Sequence, residues 1–216
     1  MFIKIKKVLG TLKKPKLLRI LLSMNSNGYL KESGWINSFD KQMPIDTNNN
    51  PLPWVTYPFI DFISNRLKSE MEVFEFGSGN STLWYAKKVK FITSVEHDKN
   101  WYDILKKEIP LNVNLYFKEL IYGGEYSKIS TMPTEYFDII SIDGRDRVNC
   151  MKDSIKALKS DGIIVLDDSE RVQYTEGIQF LLDNEFKRID FWGISPGLFY
   201  KKNTTIFYKT NNCLGI

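Results

Sequence analysis

The chain has 216 residues, 43% of them hydrophobic and 26% charged, which fits one globular α/β-sized core with an appended segment and excludes a disordered chain. No apolar run approaches the roughly 18–20 residues that cross a bilayer, and no convincing secretion signal opens the sequence, so a cytoplasmic protein is expected. The formal charge of +4 is uneven: residues 1–31 hold eight basic and no acidic residues, leaving 22 basic against 26 acidic in the rest, so an anionic partner is expected at the N-terminal arm and nucleic acid is not an expected partner of the body.

Ile5, Val8, Leu9 and Leu12 follow helical spacing, with Lys6, Lys7, Lys13 and Lys14 turned elsewhere. Pro15 interrupts, and Leu17, Leu18, Leu21 and Leu22 resume the pattern. Two readings stand: residues 1–22 lie on an anionic membrane surface, or they pack on their own domain or on a twin subunit of a homo-oligomer. Residues 23–56 read as loop, with turn signals at Ser26-Asn27-Gly28 and from Asp46 to Pro53. Trp35, Trp54 and Tyr57 stand out there, either as walls of a substrate pocket or as pins holding the loop to the core. The expected division is therefore 1–56, a basic arm and aromatic loop acting as cap or docking segment, and 57–216, the main domain.

Phe59, Ile60, Ile63 and Leu67 mark a helix that leads into a buried strand, Val73–Phe76. Strands and helices then alternate, which predicts a parallel sheet with helices on both faces. Further strands are expected at Phe91–Glu96, Val113–Phe117, Phe137–Ile142, Gly162–Leu166, Phe186–Phe191 and Thr204–Tyr208. The intervening helices are marked by Trp101, Ile104, Leu105 and Ile109, by Val148, Met151, Ile155 and Leu158, and by Tyr174, Ile178, Leu181 and Leu182. Cys150 and Cys213 show no metal-type spacing, and a reduced compartment is the simpler reading.

The strand Val73–Phe76 runs into Gly77-Ser78-Gly79 and then a helix whose cap is expected at Asn80 or Ser81. A strand, a glycine turn and a helix N-terminus bring backbone N–H groups to one point where a polar ligand can meet them. The third glycine of a dinucleotide fingerprint is replaced by Thr82, which speaks against a nicotinamide-dependent oxidoreductase. In an open parallel sheet ligands bind beyond the carboxyl ends of strands. Those ends carry Glu96-His97-Asp98, Asp143-Gly144-Arg145-Asp146 and Asp167-Asp168-Ser169. Glu96 closes the second strand 17 residues after Gly79, where an acid can accept hydrogen bonds from both ribose hydroxyls of a nucleoside.

The pattern Glu75-x-Gly77-x-Gly79-x-x-Thr82, together with Glu96, resembles the class I S-adenosylmethionine (SAM) methyltransferases from about Val73 to Tyr208. The resemblance implies a Rossmann-like open sheet of about seven mostly parallel strands with the last antiparallel, plus an N-terminal helical and loop extension. It places SAM over the loop of Glu75, Gly77, Ser78 and Gly79, with its ribose on Glu96 and His97 beside it. The adenine is expected near Lys118 and Glu119, though the familiar Gly-Asp-Ala is missing there. The segments Gly-Ser-Gly-Asn-Ser-Thr-Leu-Trp, Asp143-Gly144-Arg145 and Thr204 to Ile216 are similar to small bacterial methyltransferases found among surface-polysaccharide functions, which implies a small-molecule or glycan acceptor.

A hydroxyl acceptor must lose its proton to a base or through a metal. Asp143 is the candidate catalytic residue, because the fourth strand ends facing the methyl group in this fold. It resembles the acid that binds magnesium in catechol-type O-methyltransferases, with Asp167 and Asp168 where those enzymes carry Asp-Asn. No metal is the favoured expectation, and magnesium on Asp143, Asp167 and Asp168 is the alternative. Helix capping by the same acids is the structural counterpart of that idea. His97, the sole histidine, is open to a general-base or a supporting role. Arg145 is free to bind an anionic substrate or to pair with Asp146 or Glu170. A methyltransferase-like body that binds without catalysing is the remaining alternative.

Overall fold

The computed structural model describes residue 10, residues 13–128 and residues 133–216. Ile5, Val8, Leu9 and Leu12 of the expected arm helix lie outside the described residues. Seven strands form one sheet: β1 (Glu72–Phe76), β2 (Phe91–Glu96), β3 (Val113–Phe117), β4 (Phe137–Ile142), β5 (Leu158–Asp167), β6 (Lys187–Gly193) and β7 (Lys202–Tyr208), in the order β3-β2-β1-β4-β5-β7-β6. The first five are mutually parallel, and β7 runs antiparallel between β5 and β6. This is a Rossmann-like open sheet, mostly parallel and closed by antiparallel last strands.

Strand alternation splits the interior into two cores. Val73, Ile92, Ile139, Ile163, Val165 and Ile206 face one side, where they meet Phe59, Ile63 and Tyr85. Phe74, Phe76, Ile140, Ile142, Ile164, Leu166 and Phe207 face the other, against Met151 and Leu181. Burying each such large side chain is worth ~1.5–3 kcal/mol, so the sheet's register is strongly specified. Strand order reverses between β1 and β4, and a crevice opens there beyond their carboxyl ends.

Among the described residues the helices are α1 (Pro15–Ser23), α2 (Tyr29–Glu32), α3 (Trp35–Lys41), α4 (Tyr57–Ser64), α5 (Asn80–Ala86), α6 (Lys99–Leu105), α7 (Arg147–Ser154) and α8 (Thr175–Asp183), the last entered through a 3-10 turn at Val172–Tyr174. Residues 23–56 are thus not all loop. Gly34, at φ +78°, starts α3 where a Cβ would come within 2.6 Å of the Asp46 backbone. The segment is then fastened to the main domain: the Trp35 indole N–H donates to Leu198 O (2.9 Å), Trp54 Nε1 to Pro196 O (2.8 Å) and Asn80 Nδ2 to Pro44 O (2.7 Å).

Leu158 departs from its expected place on α7. That helix stops at Ser154, and Leu158 instead pairs with Phe137 at the start of a ten-residue β5. Gly162 permits this, because a Cβ there would meet the Leu158 side chain at 2.6 Å. Leu67 and Ile109 likewise fall beyond the ends of α4 and α6. Among the described residues no helix is long and apolar enough to cross a membrane.

Candidate active site

The turn after β1 is built around Gly77. Its φ of +87° suits glycine, and a Cβ would come within 2.9 Å of Gly144 Cα, so two backbones touch where β1 and β4 end. Gly77 N donates to Val95 O (2.9 Å) and Asp143 N to Phe76 O (3.1 Å), which ties the three strand ends together. Tyr126, from the irregular stretch after β3, packs its ring near His97 and Phe76, and its hydroxyl accepts from Arg145 N (3.3 Å).

Gly79, not Asn80 or Ser81, holds the cap position of α5. Thr82 completes the loop: its hydroxyl donates to Glu75 Oε2 (2.5 Å) and accepts from Gly79 N (3.0 Å). Ser94 Oγ also donates to Glu75 Oε2 (2.8 Å). Glu75, expected among the cofactor-binding residues, is fully buried beneath the loop, does not line the crevice and braces the turn through Thr82 and Ser94. Burial pushes its carboxyl up to about 7, against the lowering effect of its hydroxyl partners.

The crevice has a volume of about 420 Å³ and is walled by Gly77, Ser78, Glu96, His97, Trp101 and Asp143, with Gly144 and Arg145 at one side. Glu96 is held by four donors. Oε2 accepts from Ser78 N (3.0 Å) and Ser78 Oγ (2.9 Å), and Oε1 from His97 N and Asp98 N (both 2.8 Å). His97 Nδ1 stands 2.9 Å from Glu96 Oε1 without a hydrogen bond to it, and the ring lines the crevice beside that acid. Trp101, on the helix its spacing predicts, is 40% exposed and donates its indole N–H to Ser78 O (2.8 Å). Lys118 and Glu119 are absent from the crevice wall.

A second cavity of about 410 Å³ adjoins the first through Ser78, Ser81, Trp101 and Asp143, and adds Met43, Pro44, Trp54 and Gly79. The aromatic residues therefore divide. Trp35 and Tyr57 are buried pins, with burial pushing the Tyr57 phenol up to about 12, whereas Trp54 both fastens the segment at Pro196 O and walls the second cavity.

Asp143 joins the two cavities and its side chain is 25% exposed. Its carboxyl is pushed up to about 8, first by burial and then by the charge of Asp167, with Arg147 opposing. Arg147 donates to Asp143 Oδ1 (3.0 Å), Asp143 O (3.1 Å), Gly144 O (3.0 Å) and Asp167 O (2.5 Å). None of the three acids caps a helix as the simple structural reading had it. Arg145 is exposed and pairs with neither Asp146 nor Glu170; Asp146 accepts from Gly123 N and Asn149, and Glu170 from Asn203 N.

Magnesium on Asp143, Asp167 and Asp168 does not fit this arrangement. Lys202 Nζ is 2.5 Å from Asp167 Oδ2 and 2.8 Å from Asp168 Oδ1. Asp168 Oδ2 is taken by Arg171 Nη2 (2.7 Å) with Arg147 Nη1 at 3.7 Å, and Asp167 Oδ1 accepts from Thr204 Oγ1 (2.8 Å). Three carboxylates already face three side-chain cations, and a hard divalent ion needs several free oxygens around it. No group of His, Cys, Asp and Glu among the described residues has metal-binding geometry.

Neither a family model nor a curated protein matches the chain. Solved structures do. A precorrin-6y C5,15-methyltransferase from Geobacter metallireducens aligns with TM-score 0.54 and 18% identity, over 69% of this chain and 86% of its own. A SAM-dependent O-methyltransferase from Thermotoga maritima aligns with TM-score 0.51 and 14% identity, over 73% of this chain and 67% of its own. A spermidine synthase from Thermotoga maritima gives TM-score 0.51 and 16% identity, over 68% of this chain and 55% of its own. These likenesses establish the fold.

Proposed function

We propose that this chain is a SAM-dependent methyltransferase directed at oxygen, acting on a small molecule or a glycan. One observation carries the reading: the Glu96 carboxylate closes β2 on the wall of the same crevice as the open backbone of Gly77 and Ser78. The turn lets a ligand lie against bare backbone, its own N–H groups being spent on Val95, Glu96 and Thr82, and the acid offers an acceptor to a ribose hydroxyl once the Ser78 hydroxyl turns away. Bound SAM supplies an electrophilic methyl group on a sulfonium. Gly77, Ser78 and Glu96 hold the nucleoside end, and Thr82 with Glu75 keeps the loop rigid beneath it.

Asp143 stands where the crevice opens into the second cavity. A carboxylate whose proton affinity is raised by burial and by Asp167 is a stronger base than an ordinary aspartate, and its ionised form, which grows as pH rises toward about 8, can take the proton of an acceptor hydroxyl. Trp54, Met43 and Pro44 give that cavity an apolar wall suited to the face of a ring, aromatic or sugar. Likeness of the glycine loop and tail to polysaccharide-associated enzymes favours the sugar. The buried Thr82, bonded to both Glu75 and Gly79, takes the place of the glycine a dinucleotide site requires, which counts against nicotinamide chemistry.

Isothermal titration with SAM tests the reading. Glu96→Ala should weaken binding by about 30-fold or more, since it removes charge-assisted acceptors worth ~1.5–3 kcal/mol each. Gly79→Val should weaken binding less, by pressing its side chain on the Trp101 ring that walls the crevice, the nearest group to a Cβ there at 3.8 Å. Asp143→Asn should keep SAM binding and lose transfer of labelled methyl to hydroxyl acceptors. Unchanged SAM affinity in both Glu96→Ala and Gly79→Val refutes the assignment.

We further propose that the basic arm brings the protein to an anionic membrane surface, because α1 leaves its apolar side chains uncovered.

A further inference from the structure

Lys202 opens β7, yet it is only 3% exposed and its ammonium is used entirely inside the molecule. It stands 2.5 Å from Asp167 Oδ2, 2.8 Å from Asp168 Oδ1 and 3.4 Å from Trp54 O. Burial alone would depress such an amine, but the charges of Asp167, Asp143 and Asp168 outweigh it and hold the group cationic. Taking an ammonium out of water costs several kcal/mol, and an exposed lysine at the same strand end would avoid that cost. The geometry offers the compensation: two carboxylates converge on it from consecutive residues, and a third, Asp143, adds its field.

We propose that Lys202 is the resident cation of this site, its ammonium filling the seat between Asp167 and Asp168 that a divalent ion would otherwise need. Two consequences follow from the contacts. The strand-end acids keep their charge balance with no metal, through Lys202, Arg147 and Arg171. Lys202 also bonds the carbonyl of Trp54, so the same group that neutralises the acids fixes the wall of the second cavity. Lys202 is a positioning residue, since it lines neither cavity. That methyl transfer is metal-independent rests on the methyltransferase reading; the filled seat does not.

Manganese binding, followed by the loss of the free Mn²⁺ resonance, tests the seat directly. The wild-type chain should bind no Mn²⁺ at millimolar concentration. Lys202→Ala empties the seat and should gain binding at least about tenfold tighter than wild type, with a melting temperature that rises on adding the ion. Lys202→Met removes the same charge but still fills the space, and should gain far less. Asp167→Asn added to Lys202→Ala should cancel the gain. If Lys202→Ala unfolds without metal, Mn²⁺ should restore it, because the ion replaces the lost charge. A Lys202→Ala chain that gains nothing from Mn²⁺, folded or not, overturns the proposal, as does wild-type binding that Asp167→Asn abolishes. SAM titration of the same wild-type protein keeps the two ideas apart: its failure would sink the methyltransferase reading and leave the metal result standing.

Discussion

Ser78 and a ribose compete for one carboxylate. An ionised carboxylate has about four acceptor positions, and those of Glu96 are filled by Ser78 N, Ser78 Oγ, His97 N and Asp98 N. The three backbone donors are fixed by the turn and by the start of α6, whereas the hydroxyl can rotate away. Ser78→Ala should therefore leave SAM affinity within about threefold of wild type or improve it, because a rotating hydroxyl is worth only ~1 kcal/mol net. A large loss in that variant would show that the hydroxyl itself holds the ligand. Glu75 carries a second residue-level expectation. Its carboxyl lies at about 7 in the folded chain against 4.5 as an ordinary glutamate. A raised value means that the folded state binds the proton more tightly. Stability from this group is complete below the ordinary value and is lost as pH rises through about 7, an effect of ~3 kcal/mol. The melting temperature should fall between mildly acidic and mildly alkaline buffer. Glu75→Gln keeps both hydroxyl partners and never ionises, so its pH slope should be clearly flatter. Equal slopes would mean that Glu75 is not the group that titrates.

At the level of elements, the strands were legible because burial and alternation act on consecutive residues. β2, β3 and β4 lie where the apolar runs Phe91–Glu96, Val113–Phe117 and Phe137–Ile142 predict them, and the acids that follow are positioned by the strands they end. Helical spacing was a weaker guide. Leu158 continues the pattern of Val148, Met151 and Ile155, but its pairing with Phe137 draws it into β5, a contact between segments that no local window contains. Trp101 and Ile104 are spaced like a core face and are 40% and 53% exposed; Leu105 alone of α6 is buried. Trp101 instead reaches the loop after β1 through its indole N–H. The short α2 and α3 hold too few turns for a period to register. The acids of the site were visible in sequence, and their partners were not. Arg147 and Lys202 come from α7 and β7, and Lys201-Lys202 in isolation reads as a solvated strand start. No local pattern marks it: Lys202 is followed by Asn203, Thr204 and Thr205, polar residues that the fold buries.

Viewed as a whole, the molecule is electrically divided. Its body is slightly acidic and carries the site, while every charged residue up to Lys31 is basic. α1 sits at that boundary, with no buried residue, and Leu17, Ile20, Leu21 and Leu22 are 40%, 56%, 42% and 70% exposed. At about 100° per residue, Leu17, Leu18, Ile20, Leu21 and Leu22 fall in one arc, and Lys16, Arg19 and Ser23 in the other. An acidic protein surface would satisfy the charges but leave the leucines in water. The interface of an anionic bilayer satisfies both, by apolar insertion and by ~1 kcal/mol for each lysine or arginine near the headgroups. The chain should co-sediment with vesicles containing phosphatidylglycerol, sediment much less with pure phosphatidylcholine, and be released by high salt. Leu17→Asp with Leu21→Asp should abolish sedimentation without changing the melting temperature, because neither side chain is buried. Equal sedimentation of that variant, or indifference to lipid charge, would refute membrane docking. A dimer in size-exclusion chromatography that the same double substitution dissolves would assign the apolar face to a second copy of the chain instead.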